Sequence, residues 1–350
     1  PDIIGQQEYE RLWERASMSI DTALRPGFLR REWEQVILAQ SIGDLDGYLA
    51  CERKGRGRAI GESVRRQAWT AISSVLSALR ARDQRTHHQV AEDAATILAE
   101  RGGSLYRHVL VDEGQDLHPT QWRLLRRAVG RGANDLFIVS DPHQRIYDNK
   151  VSLAAVGIEV RGRSSKLTIN YRTTQEILSW SVRMLDGAAA DGLDDTADTL
   201  AGYRSPIHGR KPVLRTFGDW TAEVDGVVDQ VRGWLDAGVE PNAVAVTART
   251  KARVRDIKLA LTQAGLPTVA VETMHSMKGM EFRCVAVTGL DEHTMPPQAA
   301  LTPALEDPAA RDQDLQRERC LLFVASTRAR DDLVLSHSGT PSLFLVSGRR

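Results

Sequence analysis

The sequence predicts an α/β protein: parallel sheets covered by helices, preceded by a region that is helical throughout. Two observations carry this expectation. From His108 onward, short apolar runs of strand length alternate with longer stretches of helical periodicity. Strands joined through helices lie parallel, with both faces covered. Several of the apolar runs also stop at polar residues, and in such sheets ligands gather at the carboxyl ends of the strands. At 350 residues the chain is long enough for two or three domains with substantial cores.

Residues 1 to about 107 are expected to be helical. Apolar residues recur at helical spacing through Trp69, Ile72, Val75, Leu76 and Leu79, and again from Val90 to Leu98. A basic cluster precedes them: Arg53, Lys54, Arg56, Arg58, Arg65 and Arg66, with Gly55, Gly57 and Gly61. It reads either as a solvated loop and helix face or as a surface that contacts phosphates. Strands are expected at 109–111, ending in Asp112 and Glu113; at 136–139, ending in Ser140 and Asp141; and at 167–169, ending in Asn170. The first of these reads as buried. The acidic, Ala/Gly-rich stretch 186–202 reads as a loop. Strands then resume at 213–217, 244–247, 268–271, 284–288 and 333–336, with helices such as 222–235 and 253–264 between them. The pattern describes two successive α/β units, the first incomplete.

Composition narrows the function. Forty-six basic and 46 acidic residues give a formal net charge of zero, so any nucleic acid must be met by a local patch. Cys51, Cys284 and Cys320 are scattered without metal-ligand spacing, which fits reduced core residues of a cytoplasmic protein. No apolar run approaches membrane length, and no secretory leader is expected. The chain begins at Pro1 and is expected to be cut from a longer protein.

Five strings carry the chemistry. In VLVDEGQD, Asp112 and Glu113 close an apolar strand. Nucleotide hydrolysis needs one carboxylate to hold Mg²⁺ and another to activate or position water. Strands often end in acids for no catalytic reason, so the pair gains weight only within Asp112-Glu113-Gly114-Gln115-Asp116. In IVSDPHQRIY, Gln144 can donate to a phosphate oxygen and accept from water, or simply cap a turn. In LTINYRT, Tyr171 can stack on a base and Arg172 can pair with phosphate, or the two can serve a domain interface and a surface. In TMHSMKGMEF, Thr273, His275, Ser276 and Lys278 are small donors with one cation, suited to a nucleic-acid backbone. Gly279 lets main chain approach a phosphate, and Glu281 can accept from a ribose hydroxyl. In ERCLLFVASTRAR, Arg328 or Arg330 can stabilise charge on a transferring phosphoryl group, or favour a helix C-terminus. A sixth string is missing. No G-x-x-x-x-G-K-[ST] occurs, and no lysine precedes Ser or Thr.

Taken in order, the five strings resemble motifs of the UvrD/Rep family of superfamily 1 helicases, over roughly residues 28–345. The resemblance implies two RecA-like domains that clamp ATP and move along single-stranded DNA, as in DNA repair or recombination. It implies Asp112 for Mg²⁺, Glu113 as catalytic base, Gln144 as γ-phosphate sensor and Arg328 as arginine finger. It places Tyr171 against adenine, Arg172 on phosphate, and Gly279 and Glu281 at the nucleotide. Thr273 and His275 fall at DNA, with Lys278 beside them. ATP and Mg²⁺ are the implied cofactors. The implied partner is single-stranded DNA or a single/double-strand junction, with RNA as the alternative. The implied organisation is a helical 1B-like subdomain over 1–107, the latter part of domain 1A over 108–165, and domain 2A over 166–345.

The chain also departs from the family pattern. Nothing matches the phosphate loop or the adenine-reading Gln segment, which the resemblance attributes to truncation, so this segment alone is expected to be nearly inactive. Ser140 stands where a Gly is usual, and Asn149 where a base-stacking Trp is usual. About a hundred residues separate Arg172 from Thr273, which leaves little or no room for the family's 2B insertion. The rival readings are a scaffold that kept the fold and lost nucleotide binding, and a plain nucleic-acid-binding module.

Overall fold

The computed structural model describes every residue except 21–23, 54–58, 148–150, 186–189, 195 and 347–350. Lys54, Gly55, Arg56, Gly57 and Arg58 of the basic cluster, and Asn149, lie outside the described residues. The chain forms two compact units. Pro1–Asp141, Asn149–Ser164 and Leu193–Asp195 make the first; Pro142–Asp148, Ser165–Gly192 and Thr196–Arg350 make the second.

The first unit begins with β1 (Asp2–Ile3), α1 (Gln6–Met18) and α2 (Pro26–Glu32), which runs directly into a π-helical stretch, Trp33–Leu38. There follow α3 (Leu45–Ala50), α4 (Glu62–Ala81), β2 (Gln84–Arg85), α5 (His87–Arg101), β3 (Val109–Val111), α6 (Pro119–Ala128) and β4 (Leu136–Ile138). Residues 1–107 are thus largely helical, as their periodicity predicts; β1 and β2 form a short parallel pair beside the helices. One stripe of α4, Ala68, Ala71, Ile72, Val75 and Leu79, is buried. It joins a core with Trp13, Phe28, Leu29, Ile37 and Tyr48. Thr86 and Gln89 close the start of α5 with a reciprocal capping box, which satisfies two otherwise orphaned donors.

The described arginines of the basic cluster are committed internally. Arg53 forks onto buried Glu32 at 2.6 and 2.7 Å. Arg65 donates to the carbonyls of Tyr48, Leu49 and Cys51 at the end of α3, and Arg66 pairs with Glu62. This corrects the phosphate-surface reading for Arg53, claimed by a buried carboxylate, and for Arg65: the last carbonyls of a helix need donors, and a nearby guanidinium supplies them.

β3 and β4 pair in parallel, Val109 with Leu136, Leu110 with Phe137 and Val111 with Ile138. Val109, Val111, Leu136 and Ile138 pack against Trp122, Val151, Leu153 and Ile158. Leu110 and Phe137 point the other way and are 77% and 62% exposed. The expectation of a buried strand therefore holds for one face only. Side chains alternate across a strand, and among the described residues only one face of this sheet is covered.

The second unit contains α7 (Gln175–Met184), β5 (Ala190–Asp191), β6 (Ala197–Asp198), β7 (Val213–Phe217), α8 (Trp220–Asp236) and β8 (Val244–Ala248). It continues with α9 (Lys251–Gln263), β9 (Ala270–Thr273), β10 (Phe282–Thr288), α10 (Pro308–Ser326), β11 (Ala329–Ser338) and α11 (Leu343–Val346). Five strands form an all-parallel sheet in the order β7-β11-β10-β8-β9. Ala245, Val285, Val287, Leu333 and Leu335 face α7 and α10. Val244, Val246, Cys284, Ala286 and Val334 face α8 and α9. Both faces are buried along the inner strands, as the alternation of strands and helices predicts, while edge strand β7 is exposed.

Three local expectations are corrected. Residues 167–169 form no strand: Ile169 makes an isolated parallel bridge with Arg204, and Leu167 is 83% exposed. A three-residue run needs a neighbouring strand to become a ladder, and this one meets a single residue. The strand expected at 268–271 begins at Ala270. Within the acidic stretch, β5 and β6 form an antiparallel pair. Among the described residues no helix is long and apolar enough to cross a membrane.

His118, the N-cap of α6, is 2% exposed and stacks on His88 with ring centroids 4.1 Å apart. Its Nε2 donates to the Glu34 carbonyl at 2.9 Å, and its Nδ1 accepts from Thr120. Burial, and secondarily the neighbouring His88, push its pKa down from 6.5 to about 3. Between those values the unfolded chain binds a proton that the native ring refuses, so stability falls as pH falls. The stability advantage of the wild type over His118→Asn, measured by urea unfolding, should narrow as pH drops below about 6.5. An advantage that is constant with pH would show that the buried ring is not a source of acid sensitivity.

Candidate functional site

In the first unit, β3 delivers Asp112 and Glu113 at its carboxyl end. Glu113 adopts a left-handed backbone, φ 54°, uncommon for a residue with a Cβ, and leads into a tight turn over Gly114–Asp116. The turn is held by Gly114 N donating to the Val139 carbonyl at 2.9 Å. Asp112 is exposed, and one of its oxygens accepts from Glu113 N at 2.8 Å. Gln115 is buried. Its Nε2 donates to Glu113 Oε2 at 2.5 Å, and its Oε1 accepts from Asp141 N at 3.0 Å. Gln115 therefore ties the Glu113 carboxylate to the segment that follows β4. Sequence reasoning assigned it no such role; the signal was its place two residues after the acid. The two carboxylates are differently prepared, one open to solvent and one oriented by an amide. Among the described residues no three His, Cys, Asp or Glu side chains cluster as a metal cage. A cation here would lean on one carboxylate plus water and substrate oxygens, which is how Mg²⁺ is commonly held.

In the second unit, Gln144 and Arg328 meet. Gln144 closes the turn Pro142–Gln144, and Arg328 lies between α10 and β11. Arg328 is 2% exposed. Its Nη2 donates to Gln144 Oε1 at 3.1 Å, its Nε to the Val324 carbonyl at 3.1 Å and its Nη1 to the Met280 carbonyl at 3.4 Å. Lys278 Nζ donates to the Gln144 carbonyl at 2.9 Å. Gln144 thus engages both cations, one by its side chain and one by its main chain.

Arg172 and Glu281 adjoin this cluster. Arg172 Nε donates to Glu281 Oε2 at 3.1 Å, with both side chains about half exposed. Asn170 shapes the approach, its Oδ1 accepting from the main-chain nitrogens of Arg172 and Thr173 at 2.7 and 3.1 Å. Thr173 Oγ1 donates to the Ala329 carbonyl, which fixes this turn beside Arg328. Tyr171 is 71% exposed, its ring open for stacking. Gly279 has φ 80°, a conformation that favours glycine, and nothing lies within 4 Å of where a Cβ would stand. Arg330 forks onto Asp331 instead of joining the cluster.

Thr273 ends β9, and its hydroxyl bonds Ser276 Oγ at 2.9 Å and accepts from Ser276 N at 3.3 Å. His275 is half-buried near the Arg249–Glu318 pair, a fork with two 2.7 Å bonds. Burial, and then the Arg249 charge, lower the His275 pKa, so the ring is neutral near neutral pH. The structure therefore brings Gln144, Arg328, Lys278, Arg172 and Glu281 into one contiguous set. Thr273 and His275 stand at the carboxyl end of the edge strand, and Asp112 and Glu113 belong to the other unit.

Residues 165–272 and 267–340, together just over half of the chain, match the family model described as UvrD-like helicase C-terminal domain. Residues 78–153 match that described as UvrD/REP helicase N-terminal domain. The chain is similar to ATP-dependent DNA helicase UvrD2 of Mycobacterium tuberculosis, 29% identical over 211 residues that cover 56% of this chain and 30% of that protein. It is 27% identical to the mitochondrial ATP-dependent DNA helicase HMI1 of Saccharomyces cerevisiae, over 46% of this chain and 24% of that one. DNA helicase IV of Escherichia coli is 26% identical over 72% of this chain and 37% of its own length. The chain thus spans less than half the length of each of these relatives.

Gly114 offers a direct test of how the acidic turn is built. A Cβ there would lie 3.2 Å from Ile138 and Trp122 and 3.3 Å from Leu193. Gly114→Ala is expected to destabilise the first unit by roughly 1–3 kcal/mol through overpacking, read as a lower urea midpoint. An unchanged midpoint would show that this turn does not depend on close packing.

Proposed function

Because this chain belongs to the UvrD-like helicase family, we propose that it is part of an ATP-dependent DNA helicase or translocase. In this reading ATP hydrolysis is coupled to movement on single-stranded DNA, in DNA repair or recombination. The observation that carries the proposal is the joining of Gln144 to both Arg328 and Lys278. It links a residue suited to phosphate, a buried guanidinium and the loop that follows β9.

Each residue has a role that its chemistry supports. Asp112, exposed at the end of β3, would hold Mg²⁺, which neutralises charge on the phosphates when bound. Glu113 takes the proton of the attacking water, and Gln115 holds that carboxylate in orientation. Tyr171 stacks on the base, while Arg172 meets phosphate oxygens. Glu281 keeps Arg172 in place and accepts from the ribose. Gly279 leaves main chain accessible to phosphate. Gln144 positions Arg328 toward the transferring phosphoryl group. Thr273 and neutral His275 donate to the strand backbone, with Lys278 beside them. The Lys278–Gln144 contact gives that loop a direct route to the phosphate-sensing residue.

We assign residues 1–107 to a helical 1B-like subdomain, 108–165 to the latter part of domain 1A and 166–345 to domain 2A. Between Arg172 and Thr273 the chain is occupied by α7, the β5–β6 pair, β7, α8, β8 and α9, in keeping with little or no 2B insertion. No stretch of the 350 residues carries the phosphate-loop signature, and we place that loop in another part of a longer protein. Among the described residues no disulfide joins Cys51, Cys284 and Cys320, which suits a reducing, cytoplasmic setting.

The first test is ATP hydrolysis with and without single-stranded DNA, for this chain and for a longer protein carrying a phosphate loop. The chain alone should be nearly inactive and the longer protein DNA-stimulated, with single-stranded RNA run beside it as activator. Arg328→Ala should cost about a thousandfold or more in turnover, the scale of an arginine finger. DNA-stimulated hydrolysis by the chain alone would overturn the placement of the phosphate loop. In the longer protein, Glu113→Gln should abolish hydrolysis while sparing ATP binding; normal turnover would remove Glu113 as the base. Replacing Thr273 and His275 with Ala should lower DNA-stimulated turnover more than basal turnover. An equal loss in both would move them to the nucleotide.

A further inference from the structure

The first unit carries a second cationic site, remote in the fold from the acidic turn. A cleft of about 310 Å³ is lined by Arg123, Arg126, Arg127 and Arg131, with Val156 and Gly157 on its opposite wall. The arginines come from α6 and the loop that leads into β4. The cleft therefore sits at the amino-terminal pole of the β3–β4 sheet, whereas Asp112 and Glu113 occupy the carboxyl pole.

Two of the four guanidiniums are held by carboxylates. Arg123 forks onto Glu92 at 2.9 and 2.7 Å and also donates to the carbonyls of Leu38 and Ala39. Arg126 pairs with Asp135 at 2.8 Å and donates to the Val129 carbonyl. Arg127 and Arg131 are exposed, and among the described residues neither meets an acid. The Arg131 guanidinium instead lies over Gly157, 3.2 Å from where a Cβ would stand. Two carboxylates for four arginines leave a local excess of positive charge in a chain whose formal net charge is zero. Guanidiniums crowded round a cleft repel one another unless an anion lies between them. Their planar forks match phosphate oxygens in pairs. The volume equals roughly ten waters at ~30 Å³ each, room for a phosphodiester with its adjoining sugar, and Val156 offers that sugar an apolar wall.

We infer that this cleft is a second nucleic-acid contact, in which Arg127 and Arg131 grip the phosphate backbone of a DNA strand while Arg123 and Arg126 form its fixed floor. The inference rests on the DNA-motor reading for the identity of the strand, and adds a binding surface that the five sequence strings do not contain.

The test is binding of a labelled single-stranded oligonucleotide by fluorescence anisotropy across a salt series. Arg127→Gln with Arg131→Gln should weaken binding and flatten the slope of log K against log salt by about 1.4, at ~0.7 for each phosphate no longer neutralised. Ala155→Glu, an exposed change on the opposite wall that supplies the missing carboxylate, should act in the same direction by a separate route. An unchanged slope in both variants overturns the inference; if Thr273→Ala still weakens binding, the motor reading survives that failure. A flattened slope, in a longer protein whose ATP hydrolysis ignores DNA, would keep the cleft and remove the motor. A wild-type chain that binds no strand overturns the inference. So does thermal stabilisation by inorganic phosphate without any change in the DNA slope, which would make the cleft a small-anion site.

Discussion

A parallel strand with a neighbour on each side and a helix over each face has no solvent-facing direction, so its side chains are mostly apolar both ways. β8, β10 and β11 meet that condition, and the arrangement of the second unit follows from it. Val285 and Val287 of β10 pack toward α7 and α10, while Cys284 and Ala286 pack toward α8 and α9. Backbone polar groups are satisfied along the ladders. Polar side chains are driven to the strand ends, where β9 yields Thr273 and the entry to β11 yields Arg328.

Two buried charged groups in this unit are held by neutral partners. Glu223, wholly buried on α8, accepts from Gly289 N at 2.8 Å and from Ser336 Oγ at 2.6 Å, tying helix to sheet. Arg328 is treated the same way. Three neutral oxygens, from Val324, Met280 and Gln144, fix the direction of its guanidinium. A long, entropy-rich side chain is thereby presented in one orientation, and catalysis benefits from such preorganisation. In the first unit Gln115 does for Glu113 what Gln144 does for Arg328: an uncharged amide orients a charged group.

Much of the fold is legible in the chain. The apolar stripe of α4, the alternation of strands and helices after residue 108 and the stops of strands at polar residues all appear in their expected order. What failed was short or one-sided. Residues 167–169 look like a strand by composition, but composition cannot supply a neighbouring strand. The apolar run of β3 looks wholly buried, yet Leu110 is open because burial depends on what covers a face. Arg53 and Arg65 look like a charged surface, yet Glu32 and the end of α3 claim them. The candidate site shows the same division. The resemblance of the five strings to helicase motifs pointed to Asp112, Glu113, Gln144 and Arg328, but nothing local in sequence joins Gln144 to residues more than 130 positions away.

The sequence by itself determined the class of fold, the order of its elements and the kinds of chemical groups at the strand ends. Periodicity and residue type are local properties, and local sterics and hydrophobicity read them directly. Tertiary structure decided which of those groups meet. The pairing of Gln144 with Arg328, the parking of Arg172 on Glu281 and the two acid-free arginines of the cleft depend on contacts between distant segments. Such contacts form only once burial of the core has fixed where each segment lies, so no local pattern in the chain encodes them.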